Sequence, residues 1–411
     1  MRPHALRLLS AATLTLITLA TATSPAYAQD MRSAVAAAWE RHPAARALAA
    51  RQEEFAARHE AADSLLAGSP AAEVANRNDR LQRDAGQREW EAGITLPFWL
   101  PGYQARTLAL IERERTAFAA LVEQARWKLA GEVREAWWQA MLAANERDVA
   151  RARAEAARQL AADVERRVRA GDLPRMDANQ ARSAEAAAEA AYAEADGRAH
   201  RAARGFLAIT GLPALPASGG MHETRPRENK MDAVPGTHPQ LAPLEQAIGA
   251  ARARLDLAAK NVRDMPELTI GVRRERPLQD TAWESSTIIG VRIPLATDAR
   301  NRPKVAAANA DLIEAEALLP YEQGRVDAER EAAGRDLERA DESLTRAETR
   351  RHLAAEMRRE YARAFTLGNI DLPQRLRVES DAFDAELAAA RSRIEAARSI
   401  SRYNQALGIL P

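Results

Sequence analysis

Between Gln87 and Phe98 apolar and polar residues alternate without a break. Trp90, Ala92, Ile94, Leu96 and Phe98 hold the even positions, and Gln87, Glu89, Glu91, Gly93 and Thr95 the odd ones. Period two with one apolar face predicts a strand that is apolar on one side and polar on the other. Leu268, Ile270 and Val272 alternate with Glu267, Thr269 and Gly271 and predict another. Ile289, Val291, Ile293 and Leu295 predict a third, and residues 70–80 a weaker fourth resting on Ala72 and Val74.

Elsewhere the period lengthens to that of a helix. Residues 33–68 are helical in pattern, with His42-Pro43 near the start, and Gly68-Ser69-Pro70 stops them. After Pro101-Gly102 no proline intervenes before Ala170, a run that as one helix is on the order of 100 Å long. Gly171-Asp172-Leu173-Pro174 breaks it, and a return helix runs to Gly211-Leu212-Pro213. Pro303 to Leu367 predicts a second long helix, with Pro320 as a kink site. Its apolar seam is a heptad: Val305, Leu312, Leu319, Val326, Ala333, Ala340, Ala347 and Ala354. Such a seam predicts left-handed supercoiling against neighbouring helices. Gly368-Asn369-Ile370-Asp371 is the next turn, and the last helix ends at Leu407-Gly408.

These elements occur twice. Gly171 and Gly211 are 40 residues apart, as are Gly368 and Gly408, and the offset between the pairs is 197 (368 − 171). The same offset carries Gly93-Ile94-Thr95-Leu96-Pro97 onto Gly290-Val291-Arg292-Ile293-Pro294, and an offset of 196 carries His42-Pro43 onto His238-Pro239. Internal repetition of this kind governs the fold. The division it predicts is a signal peptide over 1–28, a first repeat over 29–211, a linker over 212–237 and a second repeat over 238–411. Each repeat holds a helix, two strands and a long helical hairpin.

Composition narrows what such a chain does. Arg2 and Arg7 precede an apolar run ending at Ala26-Tyr27-Ala28, which reads as a cleavable secretory signal. The chain has no cysteine, so an exported form must be held by packing or oligomerisation. A net charge of +1 with 28% charged residues is a mixed-sign surface and not a nucleic-acid footprint. The histidines form no i, i+4 ligand pair, no nucleophile elbow or phosphate loop occurs, and neither a metal site, a cofactor nor an enzyme activity is expected. Four strands leave two sheet edges open, and an apolar outer face suits lipid. Four are too few to close a barrel, since barrels begin at eight strands, but three copies supply twelve. The outer face would comprise Trp90, Ala92, Ile94, Leu96, Ile289, Val291 and Ile293. Trp90, Phe98, Trp99, Tyr103 and Trp283 cluster at strand ends, as interfacial aromatics do.

The duplicated order of helix, strands and long hairpin, with Arg169-Ala170-Gly171-Asp172-Leu173, Thr366-Leu367-Gly368-Asn369-Ile370 and the two Gly-to-Pro strand ends, resembles the TolC-type outer-membrane efflux proteins. The resemblance implies a mostly α fold with a small β part. Four strands per chain join a trimeric, twelve-stranded transmembrane barrel above duplicated coiled-coil hairpins. It implies a homotrimeric channel-tunnel in the outer membrane of a Gram-negative bacterium, with its helices in the periplasm. The tunnel would meet a periplasmic adaptor protein, and through it an inner-membrane transporter of RND type, and pass small molecules or metal ions. The adaptor-docking tips would be Gly171, Asp172, Leu173, Gly368, Asn369 and Ile370. The entrance gate would involve Asp177, with Asp371 and Gln374 standing where the second repeat departs from the pattern. A conduit for type I protein secretion and a barrel-less periplasmic coiled-coil scaffold are the alternatives.

Overall fold

A computed structural model describes residues 30–81, 85–212, 223–226, 238–260 and 263–411. The segments expected to be a signal peptide and, for the most part, a linker lie outside these residues. In chain order the elements are α1 (Met31–Arg41), α2 (Pro43–Asp63), β1 (Ala71–Asn78), β2 (Arg88–Pro97), α3 (Tyr103–Ala170), α4 (Arg175–Thr210), α5 (Ala242–Lys260), β3 (Glu267–Arg276), β4 (Glu284–Arg292), α6 (Asp298–Thr366) and α7 (Leu372–Ala406). Among the described residues the order of helix, two strands, long helix and return helix recurs, α1 preceding it in the first half.

The helix expected over 33–68 is two helices, and it ends early. His42 leaves α1 in extended backbone and caps α2, accepting the Ala44 N–H on Nδ1 at 3.2 Å. Pro43 then takes the first helical position, where its missing N–H costs nothing. His238 repeats the device, its Nδ1 accepting from the Gln240 N–H at 3.2 Å. Helix α2 stops at Asp63 and not at Gly68, because Leu66 is drawn out to bridge Phe98 at the foot of the sheet. In α6 the helix continues unbroken through Pro303 and Pro320. The heptad seam is its least exposed line, with Val326 buried outright. On α3, Glu112 pairs with Arg115 at 2.8 Å, and the Thr116 hydroxyl donates to the Glu112 carbonyl at 2.9 Å.

Helix α3, with 68 residues, and α6, with 69, each run about 100 Å at 1.5 Å per residue. Helix α3 is flanked by α1, α2, α4, α5 and α7, whereas among the described residues α6 packs chiefly on α5 and α7. The helices therefore form a layer, ordered α4, α3, α7, α6 in the half remote from the sheet and α2, α3, α5, α6 in the half next to it. Salt bridges mark one level across the upper half. Glu114 on α3 meets Arg58 of α2 at 2.6 Å and Arg254 of α5 at 2.9 Å, and Arg254 reaches Asp311 of α6 at 3.8 Å. The largest apolar cluster sits where α1 crosses the layer. Trp137 and Trp138 of α3 are buried among Met31, Ala34, Ala38, Phe206 and Ile394, and the Trp138 Nε1–H donates to Ser401 Oγ at 2.9 Å.

The four strands make one antiparallel sheet in the order β1-β2-β3-β4. Both strand pairs turn at the end away from the helices, so the sheet stands on the helical layer like a wall continued upward.

Candidate functional site

The sheet register gathers the alternating residues into two faces. Ala72, Ile94, Ile270 and Ile289 lie in one row across all four strands, and Leu96, Leu268 and Val291 in the row below. This face is bare: Ile94 is 53% exposed, Ile289 74% and Val291 64%. Ile293, expected in the strand, lies just past the end of β4 and is exposed as well. The opposite face is polar and more enclosed. There Glu89, buried to 7%, pairs with Arg77 at 3.2 Å and Arg273 at 3.0 Å. Arg273 also reaches Glu91 at 3.5 Å, and the Thr95 and Thr269 hydroxyls share a hydrogen bond of 3.0 Å. Aromatics bracket the apolar rows. Trp99 stacks on Tyr103 at the helical end, while Trp90 lies near the hairpin end, eight residues before Phe98, roughly 26 Å of extended chain.

At the other extremity both hairpins turn alike. Gly171 (φ +89°) and Gly368 (φ +75°) sit in the left-handed region. Gly171 N–H donates to Val168 O and Asp172 N–H to Arg167 O; Gly368 N–H donates to Phe365 O and Asn369 N–H to Ala364 O. These are Schellman closures, which satisfy the last carbonyls of each long helix. The two turns share an apolar cluster of Leu160, Val164, Phe365 and Leu372, flanked by Leu173 and Ile370. Arg167 and Arg375 lie over the Phe365 ring at 5.2 and 4.9 Å. Burial beside that ring holds the Arg375 guanidinium below its ordinary pKa, against the pull of Glu379. A Cβ at either glycine would meet nothing within 4 Å, so the turns form a blunt, open end.

Solved structures share this arrangement. The Campylobacter jejuni outer membrane channel CmeC superposes with a TM-score of 0.73 at 13% identity, over 92% of this chain and 85% of that one. The Neisseria gonorrhoeae outer membrane channel MtrE, in its open state, gives 0.72 at 15% identity, over 92% and 89%. The Vibrio cholerae outer membrane protein VceC gives 0.67 at 15%, over 92% and 96%. This chain has an outer-membrane-channel fold. No protein-family model and no curated protein matches the sequence, and at these identities the likeness is one of architecture.

Within the channel fold the expected tip residues come together: Gly171, Asp172 and Leu173 on one turn, and Gly368, Asn369 and Ile370 on the other, over the shared cluster. The expected gate residues separate. Asp177 is buried in the first turn of α4, its backbone N–H bonded to Pro174 O at 3.1 Å. Asp371 is exposed and caps α7, its Oδ1 accepting the Gln374 N–H at 3.0 Å. Gln374, equivalent to Asp177 in the repeat, is exposed in the first turn of α7.

A second polar centre gave no sequence signal, because its members are far apart in the chain. Arg134 of α3, only 3% exposed, clasps Glu223 with two bonds of 3.0 and 2.6 Å, also meets Gln405 Oε1, and donates to Ile409 O at 3.0 Å. Trp127 and Gln405 exchange side-chain-to-backbone bonds of 3.0 and 2.9 Å. The segment 223–226 is thus fastened to the middle of α3 and to the chain's last turn. His238 lies beside it, edge-on to Trp127 at 5.1 Å, and burial lowers its pKa against an opposing interaction with the Ala406 backbone. Among the described residues no three His, Cys, Asp or Glu side chains gather to hold a metal ion, and no helix is long and apolar enough to cross a membrane.

Proposed function

We propose that the chain is one third of a homotrimeric outer-membrane conduit, non-enzymatic, with its barrel in the outer membrane and its helices in the periplasm. The observation that carries this reading is the four-stranded sheet, bare and apolar on one face, polar on the other, and open at both edges. Unpaired strand edges are untenable in lipid. Because β1 and β4 run antiparallel to one another, β4 of one copy can pair with β1 of the next, and three copies close an all-antiparallel barrel of twelve strands. The apolar rows then face lipid, and Glu89, Glu91, Thr95, Thr269 and Arg273 line water. A barrel-less scaffold would leave Ile94, Ile270 and Ile289 in water, a contiguous apolar patch of the kind soluble monomers avoid.

The blunt hairpin ends are the surface a periplasmic adaptor would meet, through Gly171, Asp172, Leu173, Gly368, Asn369 and Ile370. That adaptor would link the conduit to an inner-membrane transporter of RND type, the conduit passing small molecules or metal ions as cargo and doing no chemistry on them. Asp371 and Gln374, exposed at the same end, are better placed than the buried Asp177 to narrow the entrance. Fractionating membranes, extracting with detergent and measuring the mass of the native particle tests the reading. A trimer from the outer-membrane fraction is expected; a soluble periplasmic monomer would overturn it.

A further inference from the structure

The hairpin end of the sheet carries a cationic cluster on the wrong face for a water-filled pore. Arg88 and Arg276 lie directly opposite each other on β2 and β3, and Arg274 lies opposite Trp90. All share the parity of Ile94 and Ile270, so they belong to the apolar face, Arg274 one row and Arg88 and Arg276 two rows beyond Ala92 and Val272. Like charges directly across a ladder repel, and here no acid relieves them. Arg77, Arg273 and Arg292 on the polar face each have a carboxylate partner, at 3.2, 3.0 and 3.4 Å. Arg88, Arg274 and Arg276 have none among the described residues. Instead Arg274 and Arg276 lie over the Trp283 ring at 5.3 and 5.4 Å. The Nε atoms of Arg88 and Arg276 are shielded from solvent without a hydrogen-bond partner among the described residues. The nearest acids in sequence, Glu89 and Glu275, point to the other face by strand alternation.

We propose that Arg88, Arg274 and Arg276, flanked by Trp90 and Trp283, bind the phosphate of an anionic glycolipid headgroup in the outer leaflet. Guanidinium groups match phosphate oxygens with paired N–H donors. Stacking on Trp283 holds two of them in place without satisfying their N–H groups. The cluster sits at the edge of the apolar rows, so one lipid can put its acyl chains on Ile94 and Ile270 and its phosphate on the arginines. A free phosphate would gain only the second half of that contact. Three copies would ring the barrel with nine such arginines at one level.

This inference rests on the outer-membrane reading, and its test separates the two. The full chain, purified as the native particle, is placed in nanodiscs of phosphatidylcholine doped with bisphosphorylated or with dephosphorylated lipid A, and retained lipid is quantified after washing. A preference for the phosphorylated lipid of about five-fold per engaged arginine is expected. The variant Arg88→Gln/Arg274→Gln/Arg276→Gln should lose that preference yet remain in the outer membrane with unchanged mass, and Arg292→Gln, on the polar face, should behave as wild type. Retained preference in the triple variant would overturn the proposal. So would displacement of the lipid by equimolar inorganic phosphate, which would mark a plain anion site. A wild-type chain that forms the membrane particle but shows no preference refutes this inference alone. A chain that never enters the membrane refutes the conduit as well.

Discussion

Gly408 shows how a single position is fixed by geometry. Its φ is +77°, and a Cβ there would stand 2.5 Å from Pro239 Cδ and 2.9 Å from the His238 ring. Gly408→Ala therefore meets a conformational cost and a collision with a proline that cannot swing aside. A loss of about 2 kcal/mol or more is expected, read as a lowered denaturation midpoint in detergent, whereas Gly205→Ala, in open helical surface, should not destabilise. His238 adds a pH dependence with a definite sign. Its folded pKa is lowered chiefly by burial, assisted by Arg330, so its contribution to stability is present above the unfolded value near 6.5. It is lost as the pH falls from there through the folded pKa, when the ring must be charged while buried. Thermal midpoints between pH 8 and 5 should drop for wild type on the acid side, and His238→Gln should remove the part of that drop due to this ring. Identical curves would show that His238 does not titrate in this window.

Elements were legible in the sequence where one periodicity ruled and obscure where a distant partner decided. The alternation from Gln87 to Phe98 marked β2 to within a residue at each end, because a sheet wet on one face and apolar on the other must alternate. The long helices and their glycine turns were equally plain. The break at His42 was not, since His-Pro inside an Ala-rich run reads as continuous helix until the histidine is seen capping its own successor. Arg134 looked like one more charge on a solvated helix; only its burial against Glu223, 89 residues away, reveals a clasp. Replacing it as Arg134→Leu leaves Glu223 charged and enclosed, a loss of about 3 kcal/mol, measurable by denaturant titration; Arg134→Leu/Glu223→Leu should recover much of it. The tips test differently, because they are closed by backbone bonds and open to solvent. Gly171→Ala/Gly368→Ala adds only the strain of positive φ. Gly171→Glu/Gly368→Glu adds bulk and charge to the proposed docking surface. Efflux in cells should survive the first pair and fail with the second, while the membrane particle persists in both. Normal efflux with both glutamates would remove the tips as a docking surface.

At the scale of the whole molecule, the layer of helices has two unlike flanks. Between α2 and α3 runs a groove of about 910 Å³ lined by Phe55, Ile111, Phe118 and Val122. On the far flank α6, uncovered on its outer side among the described residues, exposes Ile313, Leu318 and Tyr321. Rotation about an axis along the helices moves one copy onto the next without changing height. The chain of salt bridges from Arg58 through Glu114 and Arg254 to Asp311 sets the groove and Ile313 at one level. In the proposed cyclic trimer α6 of one copy would enter the α2–α3 groove of its neighbour, just as β4 would meet β1, so one operation would close both the barrel and the helical tube. The absence of cysteine makes a cross-link clean. Ala56→Cys/Ile313→Cys, oxidised in isolated membranes, should run as covalent dimers and trimers, and each single variant as monomer. Bands beyond three copies would mean an open, non-closing assembly. No bands at all from an intact trimer would mean that another face of α6 meets the neighbour.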